Sequence, residues 1–188
     1  NADMAMIYAK NAGRNGYKFF TEQMNNRITH KLMLENALQD AYRDELLINH
    51  YQPIIHSQQK RIVGVELLLR WQSDGKFISP GEFIPVAEEI GLIDAITEQA
   101  LHRALRELQQ WFESYDDFYL SVNLSPIHIL KSNLTERFVD ILAMHNVRPS
   151  QLRLEITENT LLDDKAKAAE QLNRLRAAGL KLFLDDFG

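Results

Sequence analysis

The chain has 188 residues, 45% apolar and 25% charged, with a net charge of −5 and a pI near 5.7. Its apolar content suffices for a sizeable core, in one ordinary domain or in an incomplete larger domain with an extra piece. The acidic balance gives no general support for binding duplex nucleic acid, and no apolar run reaches the roughly 20 residues of a membrane span. The absence of cysteine excludes disulfides and thiolate metal sites without fixing the compartment. An anionic small molecule stays open, bound through local cations or a bridging metal. No signal peptide opens the chain, and because it starts at Asn1 rather than Met, a longer parent is expected.

Asn1 to Gly13 reads as the end of a helix, with Met4, Ile7 and Tyr8 at helical spacing and Gly13 as its cap. "YKFF" follows as a short strand. Thr21 to Glu45 is predicted to be a polar-rich helix with Ile28, Leu32, Leu38 and Tyr42 along one side. Composition favours an ordinary surface helix there, and a connecting helix between two folded units has the same look.

From Leu46 the rhythm changes. "LINHYQPIIH" and "RIVGVELLLRW" read as strands separated by the turn-like "SQQK". "SPGEF" opens a helix: Ser79 suits the cap, Pro80 the first helical position and Glu82 the reciprocal position of a capping box. Leu101, Ala104, Leu105, Leu108 and Phe112 stripe a second helix that must pack on something apolar. "FYLSVNLS" is strand, "LTERFVDILAMH" helix and "LRLEITE" strand. "DDKAKAAEQLNRLRAAG" is helix, capped by Asp163 or Asp164 and followed by Gly179, and "LKLFLDDFG" is the last strand. Repeated β-α units predict a parallel sheet with helices outside, an α/β fold of about five strands, so that an eight-stranded barrel is incomplete.

Alternation along strands sorts the side chains. Gly64, Glu66, Leu68 and Arg70 share one face, as do Ser121, Asn123 and Ser125. Arg153, Glu155 and Thr157 form a third such set, and Lys181, Phe183 and Asp185 a fourth. The intervening aliphatic residues are expected to pack against the helices. Glu66, Asn123, Glu155 and Asp185 are thereby aimed at one interior. Carboxylates gathered without a cation repel and are desolvated. Three carboxylates and an amide oxygen form a hard donor set for Mg2+ or Mn2+, with Ca2+ as an inert substitute. Arg70, on the same face, suits a phosphate held by paired hydrogen bonds. Any one of these residues alone is more simply a strand-end rim residue; it is the joint register that points to a site.

The motifs "YQPII", "VGVELLLRW", "ISPGEFIPVAEEIGLI", "SVNLSP", "LRLEITEN" and "LFLDDFG" stand in the order and spacing of EAL domains, and Leu46 to Gly188 resembles that family. The resemblance implies an incomplete TIM-type barrel preceded by a linker helix. It also implies a metal-dependent phosphodiesterase that opens cyclic di-GMP to linear pGpG in bacterial second-messenger signalling. Carried over residue by residue, Glu66 is the signature glutamate and a metal ligand, Asn123, Glu155 and Asp185 are further ligands, and Asp186 is a second acid near a second metal. Glu66, Asp185 and Asp186 carry the catalytic role, Arg70 contacts a substrate phosphate and Gln52 lies near the nucleotide. Leu67 stands where the family name has alanine, which alters packing more than chemistry.

The opening "ADMAMIYAKNAGRNGYKFF" resembles the tail of a GGDEF diguanylate cyclase domain. The expected organisation is therefore GGDEF tail over 1–20, connecting helix over 21–45 and truncated EAL domain over 46–188. The family's later lysine, acids and terminal glutamine lie beyond Gly188, so the chain by itself is expected to be inactive. Two other readings stay open: a cyclic di-GMP receptor that does not cleave, and a fragment that self-associates, for example as a homodimer, through an open barrel edge. A cytoplasmic location is expected, with no membrane contact by this stretch and no duplex nucleic-acid partner, the parent being anchored, if at all, through an upstream domain.

Overall fold

Residues 47–73 fold as an antiparallel hairpin. Strand β1 (Leu47–His56) runs beside β2 (Arg61–Ser73), with Gln52 opposite Glu66 and Ile48 opposite Arg70. The computed structural model describes residues 22–73, 75–129, 131, 133–157 and 165–185. The helix and strand expected over 1–20, and the capping Asp163 and Asp164, lie outside these residues. From β2 the sheet continues in parallel through β4 (Tyr119–Asn123), β5 (Leu152–Thr157) and β6 (Lys181–Asp185). A short strand that periodicity did not announce, β3 (Lys76–Ile78), turns back on the end of β2.

Helices fill the crossovers: α2 (Pro80–Glu89), α3 (Ile93–Glu107), α4 (Gln109–Ser114), α5 (Pro126–Ile129), α6 (Leu134–Met144) and α7 (Lys165–Ala177), with α1 (Glu22–Arg43) before the sheet. This is the parallel α/β architecture expected from the β-α repeats. The aliphatic faces of the strands meet the helices in one core. There Leu120, Val122, Leu152 and Leu154 pack with Leu101, Leu105, Phe138 and Leu142. Leu67 belongs to this core at 5% exposure, on the face opposite Glu66, as its alternation required.

A second core joins α1 to the sheet's first edge, through Leu34, Leu38 and Ala41 against Leu47, Trp71, Phe83 and Ile96. The buried stripe of α1 thus runs along 34, 38 and 41, and Leu32, expected on it, is exposed. The stripe follows i, i+4, i+7 spacing; Leu38 and Tyr42 of the expected stripe do meet this core, and Leu32 falls off it. Three other expectations are corrected. The helix striped by Leu101 to Phe112 breaks at Leu108 into α3 and α4, although all five stripe residues are buried. Ser79 occupies the cap of α2 with Pro80 after it, but no side-chain cap bond forms; Glu82 instead lies 3.6 Å from His30 on α1. Leu184, expected against the helices, is 51% exposed.

Gly64 lets β2 and β4 approach. A β-carbon there would stand 2.6 Å from the Tyr119 carbonyl oxygen and 2.8 Å from its ring. Since backbone is the obstacle, Gly64→Ala is expected to destabilise the domain by roughly 1–3 kcal/mol, read as the midpoint of chemical denaturation. An unchanged midpoint would show that this ladder yields more easily than close packing implies.

His128 on α5 is 3% exposed, with its Nε2 2.9 Å from Asp94 Oδ1 on α3. Burial pushes its imidazole pKa down, and Asp94 offsets part of that. The folded state therefore binds this proton less readily than the unfolded chain, whose value is about 6.5. The stability tied to neutral His128 is present above that value and is lost as pH falls through the folded one. Titrating the denaturation midpoint from about pH 7.5 to about pH 5 is expected to show this loss, and His128→Gln to flatten it. An equally steep loss in the variant would place its origin elsewhere.

Candidate active site

Directly opposed residues of an antiparallel ladder share a face. His50 and Gln52 on β1 therefore join Glu66, Leu68 and Arg70 on β2, and Phe77 joins them from β3 through its pairing with Gln72. Across the parallel ladders Glu66 is level with Ser121, Asn123 with Glu155 and Thr157 with Asp185. The acids thus climb a diagonal, as strand tilt in a barrel requires for side chains that are to meet at one height.

Side-chain contacts link β4 to both of its neighbours. Asn123 donates from Nδ2 to Glu66 Oε1 at 2.8 Å, and Ser121 donates from Oγ to Glu155 Oε1 at 2.5 Å. Neutral donors are interposed between like charges, which lowers the cost of gathering them. Gln52 is exposed beside Glu66, and Arg70 gives one N–H to the Leu69 carbonyl at 2.8 Å. Asp185 ends β6 opposite Thr157; its side chain, and the whole of Asp186, lie outside the described residues.

Among the described residues no three His, Cys, Asp or Glu side chains stand close enough to hold a metal ion. Glu66, Asn123 and Glu155 nonetheless present oxygens and no soft donor, which suits a hard divalent cation. To share one with Glu66, Asn123 must turn its amide so that Oδ1 faces inward.

A cavity of about 320 Å3 adjoins these groups, between β2, β4, α2 and α3. Leu67, Leu69, Ile84, Ile93 and Val122 give it apolar walls, and Arg70, Glu88, Asn123, Ser125 and Glu155 supply its polar atoms. Ser125 Oγ donates to Glu88 Oε1 at 2.5 Å. Beneath the acids, the Arg153 guanidinium stacks 3.1 Å from the Tyr119 ring centroid and 4.8 Å from that of Phe183.

Ser121 and Glu88 were missed as site residues. Alternation puts Ser121 on the polar face, but only the fold brings it level with Glu66 and its hydroxyl to Glu155. Glu88 carries no local signal, since its role arises from the packing of α2 beside β4.

A family model described as the EAL domain matches residues 35–188. The chain is similar to the bifunctional diguanylate cyclase/cyclic di-GMP phosphodiesterase MucR of Pseudomonas aeruginosa. The two are 38% identical over 190 residues, which take in 100% of this chain and 28% of that protein. It is also similar to the cyclic di-GMP phosphodiesterase NbdA of the same species, at 32% identity over 100% of this chain and 24% of the relative. The chain thus spans only 28% and 24% of these curated relatives. Among solved structures, the PaMucR phosphodiesterase in complex with c-di-GMP superposes with a TM-score of 0.77 at 35% identity, covering 83% of this chain and 64% of that one. The EAL enzyme Bd1971, bound to cAMP and cyclic-di-GMP, gives 0.79 at 28% identity, over 89% of this chain and 47% of that one.

Ser121→Ala removes the hydroxyl that donates to Glu155 Oε1 without adding bulk. With Glu155 as a ligand, as the sequence leads one to expect, the change weakens Mn2+ binding by about tenfold, the low end of what removing an outer-shell partner costs a metal site, while denaturation is little changed. Titration calorimetry with Mn2+ checks this, and unaltered affinity would show that Glu155 needs no such support.

Proposed function

Because the chain belongs to the EAL domain family, we propose that it is part of a metal-dependent phosphodiesterase that opens cyclic di-GMP to linear pGpG. Phosphodiesterases of this family depend on a divalent metal. The observation that carries the reading is the pairing of Asn123 with Glu66, beside a cavity whose polar atoms include Arg70, Asn123 and Glu155.

In this reading Glu66, Asn123 and Glu155 hold a cation together with Asp185 and Asp186, the latter two assigned by family resemblance. Magnesium or manganese suits the oxygen donors, with calcium occupying them unproductively. A cation held there would supply Lewis acidity, offsetting phosphate charge and lowering the pKa of water. Arg70 directs its guanidinium to a phosphate oxygen through paired N–H donors, and Gln52 contacts the nucleotide from β1. The apolar cavity receives a base and keeps water from its flank. Ser121 acts through Glu155 by fixing its carboxylate.

The wider organisation follows the same reading. Residues 1–20 are taken as the tail of a GGDEF-like domain, 21–45 as the connecting helix and 46–188 as the amino-terminal part of the EAL domain. Support comes from MucR, a relative named for both activities, whose match takes in the whole of this chain. The edge strand β6 presents Phe183 and Leu184, so the rest of a barrel or a second copy is expected to cover them. No helix among the described residues is long and apolar enough to cross a membrane.

Hydrolysis of cyclic di-GMP by the full-length protein tests the proposal. With Mg2+ or Mn2+ the linear product is expected, and Glu66→Ala is expected to lower turnover by a factor of about 1,000 or more, the scale of losing one strong electrostatic group. Persistent turnover in Glu66→Ala would overturn the ligand assignment. Tight binding without cleavage by the unaltered protein would favour the receptor instead.

A further inference from the structure

We propose that His102 on α3 and His145, which caps the end of α6, form a binding site for a divalent transition-metal ion that prefers nitrogen, of the Cu2+, Ni2+ or Zn2+ class. The site lies in the helical layer and shares no residue with the acids or with the cavity beside them. It stands whether or not the phosphodiesterase reading does.

His102 Nδ1 lies 2.9 Å from His145 Nε2, with the ring centroids 5.2 Å apart and the planes tilted by 59°. Both residues are half-buried, so the pair is held by its surroundings yet open to an ion from solvent. Without an ion, one of the facing nitrogens carries a proton and the other accepts it. Bonds from a metal to imidazole nitrogen are about 2.0–2.1 Å long. Two nitrogens on one ion therefore stand about 2.9 Å apart at a right angle, and about 3.3 Å apart at the tetrahedral angle. The observed separation matches adjacent corners of a square-planar ion, the geometry of Cu2+ or Ni2+, and is slightly short for tetrahedral Zn2+. Small rotations of the two rings turn both lone pairs onto one point, and the ion replaces the shared proton.

The surrounding packing keeps both ligands in place. Leu101 and Leu105 on α3 and Leu142 and Val147 around the end of α6 are buried in one core. One turn before His102, Glu98 pairs with Arg137 of α6, so a second rung ties the same two helices. The histidines are thus gathered before an ion arrives, which spares the entropy of ordering them. Burial first, then the neighbouring His102 and Arg106, holds the His145 imidazole below its usual pKa, which leaves it neutral and able to ligate near pH 7. Arg106 opposes a cation here, but it is exposed and therefore screened by salt. Among the described residues no third His, Cys, Asp or Glu joins the pair, so water completes the coordination. Imidazole selects Cu2+, Ni2+ and Zn2+, whereas the oxygen donors at the strand ends suit Mg2+ and Mn2+, so the metal offered separates the two sites.

Titration of the full-length, tag-free protein with Cu2+ in saturating Mg2+ tests this, read by calorimetry and by electron paramagnetic resonance. One bound equivalent is expected, with hyperfine splitting from two imidazole nitrogens. His102→Gln and His145→Gln keep a polar side chain in place of the ring, and each is expected to abolish that equivalent. Cu2+ is also expected to raise the denaturation midpoint of the unaltered protein, since the ion binds only where α3 and α6 are docked, and to leave that of either variant unmoved. Binding that survives both substitutions, or coordination by oxygen alone, overturns the site and marks the ion as adventitious. Should a variant fail to fold, the nitrogen count in the unaltered protein still decides, because fewer than two nitrogens overturns the proposal.

Discussion

Two glutamates on the same sheet face, one strand apart, are the arrangement around which the rest of the site is ordered. Glu66 and Glu155 are partly buried, and β4 between them contributes an amide and a hydroxyl rather than a third acid. Each donor takes one oxygen of one carboxylate, so the repulsion of like charges is met by directional hydrogen bonds before any cation is considered. The parallel ladder makes this possible. Because Glu66 is level with Ser121, and Asn123 with Glu155, alternate residues of one strand serve both neighbours.

The opposite faces of the same strands supply the rigidity. Leu120, Val122, Leu152 and Leu154 are almost wholly removed from water, and they anchor the backbone that carries the polar set. Close packing leaves little slack for such strands to slide. On the side of β1 and β2, α1 is drawn into a second core through Leu38 and Trp71, so this helix is attached to the sheet along its later turns. Between the layers, α2 and α3 stop short of filling the space above Leu67 and Val122, and the apolar cavity that results opens beside Arg70 and Asn123.

Much of this was legible in the residues. Strand alternation placed Glu66, Asn123, Glu155 and Arg70 on one face because a period of two leaves no other choice, and the β-α rhythm pointed to the parallel sheet. Packing between elements was not legible. Leu32 and Leu34 are equally apolar, and only packing against the second core decides which of them is buried. Ser79 and Glu82 satisfy the pattern of a capping box, yet Glu82 lies nearer to His30 of another helix. Leu184 has the alternation of a core residue and lacks a covering layer. Phe77 sits in a three-residue strand too short for any periodicity to reveal, so its face became known only from its pairing with Gln72.

The hairpin has a consequence for how the site comes together. Gln52, Glu66, Arg70 and Phe77 all lie on β1, β2 and β3, joined by two short turns, so their assembly needs little loop-closure entropy. Asn123 and Glu155 arrive by helical crossovers, non-local pairings that raise contact order and slow folding. In the proposed phosphodiesterase, Gln52, Glu66 and Arg70 thus come from one local stretch of chain, and bringing Asn123 and Glu155 to Glu66 depends on long-range closure.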